Sequence, residues 1–82
     1  MKFIFTYITT KDKEQAMSIG RTLVEERLAA CVNIFEPMTS IYRWKDEICC
    51  DSEAVLIAKT SSEKLEPLVY RVRELIVMNV PA

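Results

Sequence analysis

Three cysteines are the residues of this chain best suited to metal chemistry, because the 82-residue sequence contains no histidine. Histidine is the commonest general base and metal ligand, so its absence narrows the available reactions. Cys31 opens a run of strand-forming residues, and it is interpreted either as a buried small hydrophobe or as a soft thiolate ligand for Cu(I). Cys49 and Cys50 are adjacent, so a strand would direct them to opposite faces and keep them from clamping one ion together.

A second group of candidate residues falls on two neighbouring runs of strand-forming residues: Tyr42, Trp44, Glu53 and Lys59. Tyr42 and Trp44 share one face of a strand, and large aromatic side chains on a protruding arm predict a contact surface for a partner. The alternative for these two is the wall of a cleft between subunits that holds a small ligand. Glu53 and Lys59 share a strand face three pleats apart, which favours either cleft residues or a cross-strand ion pair.

Hydrophobic periodicity predicts the elements that position these residues. Asp12 and Gln15 have the spacing of a capping box, and Gly20, the only glycine, falls on the apolar side of the first helix, where it predicts close approach to a sheet. Pro37 cannot donate a ladder hydrogen bond and predicts a bulge or bend. In order, the sequence predicts a strand over 3–9, a helix over 12–28, a strand over 31–44 with a break near 36–38, a strand over 47–60 and a helix over 62–76.

This order of elements predicts a single α+β domain over residues 1–82. Two helices on one face of an antiparallel sheet are typical of that class. A strand-helix-strand-strand-helix-strand unit would be ferredoxin-like, and here the final strand is missing or truncated. The sheet would then carry an edge that has to be covered in another way.

The composition excludes some partners and favours others. The charges nearly balance, with 11 Lys and Arg against 12 Asp and Glu, and the lack of a basic block predicts no nucleic-acid partner. No apolar run approaches the roughly 20 residues of a membrane span, and the first residues lack a signal-peptide pattern, so we expect a cytoplasmic protein without membrane contact. Half of the residues are hydrophobic (50%), which predicts apolar surface that an oligomer would cover.

Several motifs resemble the CutA divalent-cation-tolerance family: Leu-Val-Glu-Glu-Arg-Leu-Ala-Ala-Cys-Val-Asn over 23–33, Ser-Ile-Tyr-Arg-Trp-Lys over 40–45, Glu53 and Lys59-Thr60. The resemblance runs in order from Phe3 to Pro81. It implies a ferredoxin-like subunit, a tight homotrimer joined through long hairpins, and structural kinship with PII signalling proteins. It also implies a non-enzymatic role in tolerance to divalent metals such as copper, with copper or another divalent ion as the ligand.

The chain departs from the family pattern in the segment after the second helix. The family has a His-x-Tyr-x-x-Pro segment there, whereas this chain has Ile76 and Met78 at the histidine and tyrosine positions. The family histidine is a candidate metal ligand that this chain does not supply. Family members also continue past the matching Pro81 into a final strand, so we expect a chain that is either naturally short or truncated.

The sequence therefore leaves three candidate functions for this chain. The first is a non-enzymatic homotrimer of the metal-tolerance type, and the second is a PII-like sensor that binds an anion or nucleotide in clefts between subunits, lined by Lys59 and arginines. The third is an enzyme such as an acyl-phosphate hydrolase using an arginine and an asparagine. The enzyme is the least favoured, because Asn33 is predicted within a strand and no anion-binding glycine loop precedes a helix.

Overall fold

A three-stranded antiparallel sheet with two helices on one face organises the part of the chain that the computed structural model describes, residues 2–78. The strand order is β1-β3-β2. The predicted α+β class is confirmed. The predictions about residues 79–82, which follow the second helix, lie outside the described residues. The elements are β1 (Phe3–Thr10), α1 (Lys13–Glu25), β2 (Cys31–Trp44), β3 (Glu47–Ser61), a short 3-10 turn (Ser62–Lys64) and α2 (Leu65–Met78).

The hydrophobic core lies between the helices and one face of the sheet. Along β3, Ala54, Leu56 and Ala58 alternate onto this face and are fully buried. Because side chains alternate across a strand, the residues between them project away from the helices. The core residues come from both helices, the strands and the segment between α1 and β2: Ile8, Ile19, Leu23, Ala29, Leu56, Ala58, Leu68, Val72 and Leu75.

Helix α1 begins with the predicted cap and ends earlier than predicted. The Asp12 carboxylate accepts a hydrogen bond from the Gln15 backbone N–H at 2.8 Å, and the Gln15 side chain accepts one from the Lys11 N–H at 2.9 Å. At the other end Arg27 has a φ of 61°, and the Leu28 N–H bonds to the Leu23 carbonyl. This is a Schellman cap, in which a left-handed residue terminates the helix. The helix therefore stops at Glu25, not at residue 28, and Arg27 lies beyond it.

Helix α1 approaches the sheet closely at Gly20. A Cβ atom at this position would lie 2.9 Å from Val32 Cγ2 and 3.1 Å from Leu56 Cδ1. Real Cβ atoms rarely make contacts this short. A side chain at this position would therefore overlap its neighbours in an interior that is already close-packed. The predicted role of Gly20, close approach to a strand, is confirmed.

Strands β2 and β3 form a long hairpin that extends beyond the helices. The longest dimension of the protein is 42 Å. A two-residue turn of Lys45 and Asp46 joins the strands, and both residues have positive φ, as a type I′ hairpin turn requires. We call the outer part of this hairpin, residues 38–53, the arm. We call the rest of the sheet and the helices packed on it the base.

Helix α2 begins after the 3-10 turn, so the regular helix starts at Leu65 and not at residue 62. Pro67 is its third residue, a position whose N–H needs no partner within the helix. Arg71 of this helix donates two hydrogen bonds of 2.8 Å to the Glu26 carboxylate, which joins the two helices. None of the helices within residues 2–78 has the length and apolar character needed to cross a membrane.

Candidate functional site

The sheet face that points away from the helices carries a row of aromatic side chains, and we call it the open face. Phe3 is 83% exposed and Trp44 is 62% exposed. Large apolar side chains left exposed together on one face are typical of a surface that contacts a partner. The exposed aromatic residues that alternate onto this face are Phe3, Phe5, Tyr7, Phe35, Tyr42 and Trp44.

A β-bulge at Pro37 places the aromatic residues of the arm on the same face as those of the base. Phe35 pairs with Val55 and Met38 pairs with Glu53, so β2 contains one residue more than β3 between these pairs. The extra residue reverses the alternation, because side chains change face at every residue of a regular strand. The bulge predicted at 36–38 is confirmed. The Tyr7 hydroxyl donates a hydrogen bond to Met38 Sδ at 3.2 Å, which is consistent with both residues lying on the open face.

The arm presents acidic groups beside its aromatic residues. Glu47, Asp51 and Glu53 alternate onto the open face of β3, and the Tyr42 hydroxyl donates a hydrogen bond to the Asp51 carboxylate. That hydrogen bond, together with desolvation and the nearby charges of Asp51 and Glu53, raises the pKa of Tyr42 to about 12. The phenol is therefore a neutral hydrogen-bond donor that holds Asp51 in place.

A cationic groove lies at the opposite end of the sheet, where β1 begins, β3 ends and α1 turns into β2. Its volume is about 750 Å³, and Arg27, Lys59 and Lys64 supply its charges. The Lys64 Nζ donates to the Arg27 carbonyl at 2.7 Å, and the Lys59 Nζ lies 5.6 Å from the centre of the Phe5 ring. None of the described residues that line it is acidic: they are Phe3, Phe5, Val24, Arg27, Leu28, Ala29, Ala30, Lys59, Thr60, Ser61 and Lys64.

The structure separates the predicted site residues into two groups. Cys31 pairs with Lys59 in the sheet register and is half-buried rather than buried, whereas Tyr42 pairs with Cys49 on the arm. Ten residues of strand separate these two pairs, about 33 Å at the usual rise. Cys31 and Lys59 therefore belong to the base, and Tyr42, Trp44 and Glu53 belong to the arm.

One of the suggested pairings does not form within one chain. Glu53 pairs with Met38, and Lys59 pairs with Phe5 and Cys31, so neither faces an opposite charge across the sheet and the suggested cross-strand ion pair is wrong. Cys49 and Cys50 fall on opposite faces, as predicted. Within residues 2–78 there is no group of three or more His, Cys, Asp or Glu side chains placed to hold a metal ion.

Sequence reasoning missed three of the charged residues that shape these two surfaces. Arg27 falls within the predicted helix over 12–28, and neither Lys64 nor Asp51 belongs to a predicted site. Arg27 and Lys64 meet because a left-handed cap turns the chain toward the end of β3, 37 residues later. The one available signal of the acidic surface was the spacing of Glu47, Asp51 and Glu53. They are an even number of positions apart, so they share one face of a strand.

Comparisons with known proteins agree with this arrangement. The sequence model of a family described as CutA1 divalent ion tolerance protein matches residues 4–82. The divalent-cation tolerance protein CutA of Thermus thermophilus is 47% identical over 74 residues, which are 90% of this chain and 72% of that protein. A chloroplastic CutA protein of Arabidopsis thaliana is 41% identical over 69 residues, which are 84% of this chain and 38% of that protein.

Solved structures show the same fold. A divalent cation tolerance protein (Cut A1) from Thermus thermophilus superposes with a TM-score of 0.84 at 44% identity, covering 99% of this chain and 78% of that one. A PII-like protein CutA from Nostoc, in apo form, superposes with a TM-score of 0.75 at 39% identity, covering all (100%) of this chain and 75% of that one. The predicted ferredoxin-like and PII-like arrangement is confirmed.

Proposed function

The chain belongs to the CutA1 divalent ion tolerance protein family, and we propose that it acts as a non-enzymatic homotrimer in tolerance to divalent metal ions such as copper. The family description and the names of its relatives support the metal-tolerance role. The geometry of the chain supports the assembly part of this proposal most directly. We further propose that the protein works in the cytoplasm, which fractionation of cells expressing a tagged copy would test.

The observation that carries the proposal is the exposed aromatic open face. Phe3, Phe5 and Trp44 are each more than three-fifths exposed. Burying a large apolar side chain stabilises the buried state by about 1.5–3 kcal/mol relative to leaving it in water. Covering this face with other copies of the chain would therefore contribute a large favourable term to assembly.

Mass measurement in solution tests the assembly. We expect a mass of three chains by light scattering and by native mass spectrometry at micromolar concentration. Replacing Trp44 with Ala removes an aromatic side chain from the arm and should shift the mass toward the monomer. Tyr70→Ala is the matched control, because Tyr70 is equally exposed but lies on α2. A monomeric wild-type protein would contradict the proposed function.

We assign metal contact to Cys31, as a thiolate ligand for Cu(I) completed by groups from neighbouring subunits. Its place on the open face of β2 supports this, because assembly through that face would bring other chains to it. Titrating Cu(I), Cu(II) and Zn(II) into the purified protein should show saturable Cu(I) binding that is lost in Cys31→Ser and kept in Cys50→Ser. Binding that survives Cys31→Ser would exclude Cys31 as the ligand.

A second candidate is a PII-like sensor of a small anion or nucleotide, and the cationic groove is the observation that favours it. A groove that contains three cations and no acidic residue in its described lining suits a phosphate or carboxylate ligand. Calorimetric titration with ATP and with inorganic phosphate tests this function, with Lys59→Met as the groove variant and Arg73→Met, on α2, as the control. Binding that Lys59→Met abolishes and Arg73→Met preserves would favour the sensor.

A further inference from the structure

The cationic groove combines its charges with a wall that is mostly apolar. The rings of Phe3 and Phe5 form the part of the wall that β1 contributes, and these residues are largely exposed. A groove of about 750 Å³ is within the usual range for small-molecule sites, which set a few polar groups in an apolar wall. The apolar residues of the described lining are Phe3, Phe5, Val24, Leu28, Ala29 and Ala30. The groove therefore has the composition of a site for a small molecule.

The charges of the groove are not neutralised within the described part of the chain. None of Arg27, Lys59 and Lys64 forms an ion pair with another residue there, since the ion pairs all involve Arg71. The carboxylate next to Arg27 in sequence is that of Glu26, and it already accepts two hydrogen bonds of 2.8 Å from Arg71. Three cations of this kind beside an apolar wall attract an anion.

The remaining polar groups of the groove restrict what that anion can be. The Thr60 hydroxyl donates to the Leu28 carbonyl at 2.7 Å, and the Lys64 ammonium donates to the Arg27 carbonyl at 2.7 Å. The lining side chains within residues 2–78 include no carboxylate and no carboxamide, the groups that commonly bind ribose hydroxyls and purine edges. A ligand polar group left without a partner weakens binding. The groove therefore suits a ligand whose polarity is confined to an anionic head.

We propose that the cationic groove binds a small anion with a flat apolar body, an aryl carboxylate or aryl phosphate, and not a nucleotide. The inference rests on the second candidate function, the anion sensor, and names the chemical class of its ligand. The head group pairs with Arg27 and Lys59, because guanidinium and ammonium groups both donate to carboxylate and phosphate oxygens. The body packs on Phe3 or Phe5 as one aromatic ring on another. The Lys59 Nζ lies 5.6 Å from the centre of the Phe5 ring, so one small ligand reaches both.

Calorimetric titration of the assembled wild type with matched ligands tests the ligand class. Naphthoate carries both parts, naphthylmethanol keeps the ring system without the charge, and inorganic phosphate is a head group alone. We expect naphthoate to bind at least about tenfold more tightly than either part, and more tightly than ATP, because only the aryl anion satisfies both the cations and the apolar wall. Naphthyl phosphate separates the two head groups, and tighter binding of either aryl anion than of its parts supports the proposal.

Substitutions on both sides of the groove locate the site. Lys59→Met removes a charge and keeps an unbranched side chain, whereas Phe5→Ala removes an aromatic ring, and each should weaken naphthoate binding by about tenfold or more. The control variant carries Tyr70→Ala and Arg73→Met, which remove an aromatic ring and a cation from a second groove on α2, and should bind like the wild type. Circular dichroism and light scattering must show the fold and mass of the wild type, and Phe3→Ala serves where Phe5→Ala does not.

The possible failures of these titrations are distinguishable. Naphthylmethanol that binds as tightly as naphthoate would show an apolar surface without anion recognition, and naphthoate binding that survives both groove substitutions would place the site elsewhere; either result overturns the proposal. If ATP or inorganic phosphate binds at least as tightly as naphthoate and Lys59→Met abolishes that binding, the sensor function stands and the aryl anion is the wrong ligand. If none of these anions binds, the sensor and its ligand are both wrong.

Discussion

Strand β3 passes through two different environments, and the contrast between them organises the molecule. In the base, Leu56 is fully buried (0% exposed) between the helices and the neighbouring strands. In the arm, Ile48 of the same strand is 64% exposed. The base is completed by its own helices, whereas the arm has two strands and no layer packed on either face. An isolated two-stranded hairpin is only marginally stable in water.

The difference shows that the helices cover one face of the base within one chain, whereas both faces of the arm are exposed. Buried positions in the base are filled by aliphatic side chains from three kinds of element. Exposed positions in the arm carry Tyr42, Trp44, Ile41 and Ile48, residues that are typical of buried sites. Matched substitutions in the two regions therefore separate their contributions to stability.

Matched truncations in β3 should have very different effects on stability. Leu56→Ala should lower the free energy of unfolding by about 3–5 kcal/mol, because it leaves a cavity at a fully buried position. Ile48→Ala should change it by less than about 0.5 kcal/mol in the monomer, because surface substitutions have small effects. Urea denaturation at a protein concentration where the chain is monomeric measures both. Equal losses would contradict the division into base and arm.

Gly20→Val tests the closest contact within the base. We expect a loss of about 1–3 kcal/mol, since the added side chain meets Val32 and Leu56 at less than ordinary contact distance and overpacking forces neighbours to shift. Thermal denaturation compared with Met17→Val, an exposed position on the same helix, separates this clash from the general effect of a β-branched residue in the helix. A small effect at Gly20, similar to that at Met17, would show that the helix and sheet can move apart.

Left-handed residues occur in both regions and provide a second matched pair. Arg27→Gly should stabilise the base by about 0.5–1 kcal/mol, because glycine adopts the φ of 61° without a Cβ clash. Asp46→Gly relieves the same strain in the arm, at a φ of 65°, and should raise the global free energy of unfolding less, since the arm can open without the core. Chemical denaturation measures the first effect, and hydrogen exchange of arm amides measures the second. An equal gain from both would show that arm and base unfold as one unit.

The sequence predicted several local features of the base, and local chemistry explains why. The cap at Asp12, the bulge at Pro37 and the close approach at Gly20 each depend on residues adjacent in sequence or on a single unusual residue. The end of α1 was missed because Arg27 occupies a position that glycine commonly fills, so the stop signal was absent. The bulge was predicted from Pro37. Which residues it places on the open face depends on the register of β2 against β3, which the sequence does not give.

The groove and the helix–helix ion pair were not predictable for a different reason. Lys59, Lys64 and Arg27 come from three separate segments, and only the packed structure brings them to one end of the sheet. The pair of Arg71 and Glu26 spans 45 residues, and its hydrogen bonds hold the pKa of the Glu26 carboxyl below its usual range. No periodicity in a single sequence indicates such a contact. Tyr42 and Trp44 are predicted as a contact surface because large aromatic residues close together on a hairpin arm are unusual in themselves.

The Tyr42–Asp51 hydrogen bond is an interaction that the arm makes without the base, and its titration tests whether the arm is ordered in the free chain. The bond raises the pKa of Tyr42 from 10.0 to about 12. Because the folded pKa lies above the unfolded one, the bond stabilises the arm at pH values below 10 and is lost as the pH rises through 12. Asp51→Asn should return the pKa of Tyr42 toward 10, and the ultraviolet difference between each protein and its Tyr42→Phe counterpart isolates this phenol from the other tyrosines. A wild-type pKa near 10 would mean that the hairpin is open at this position in solution, and the arm would then gain its order only when another copy covers it.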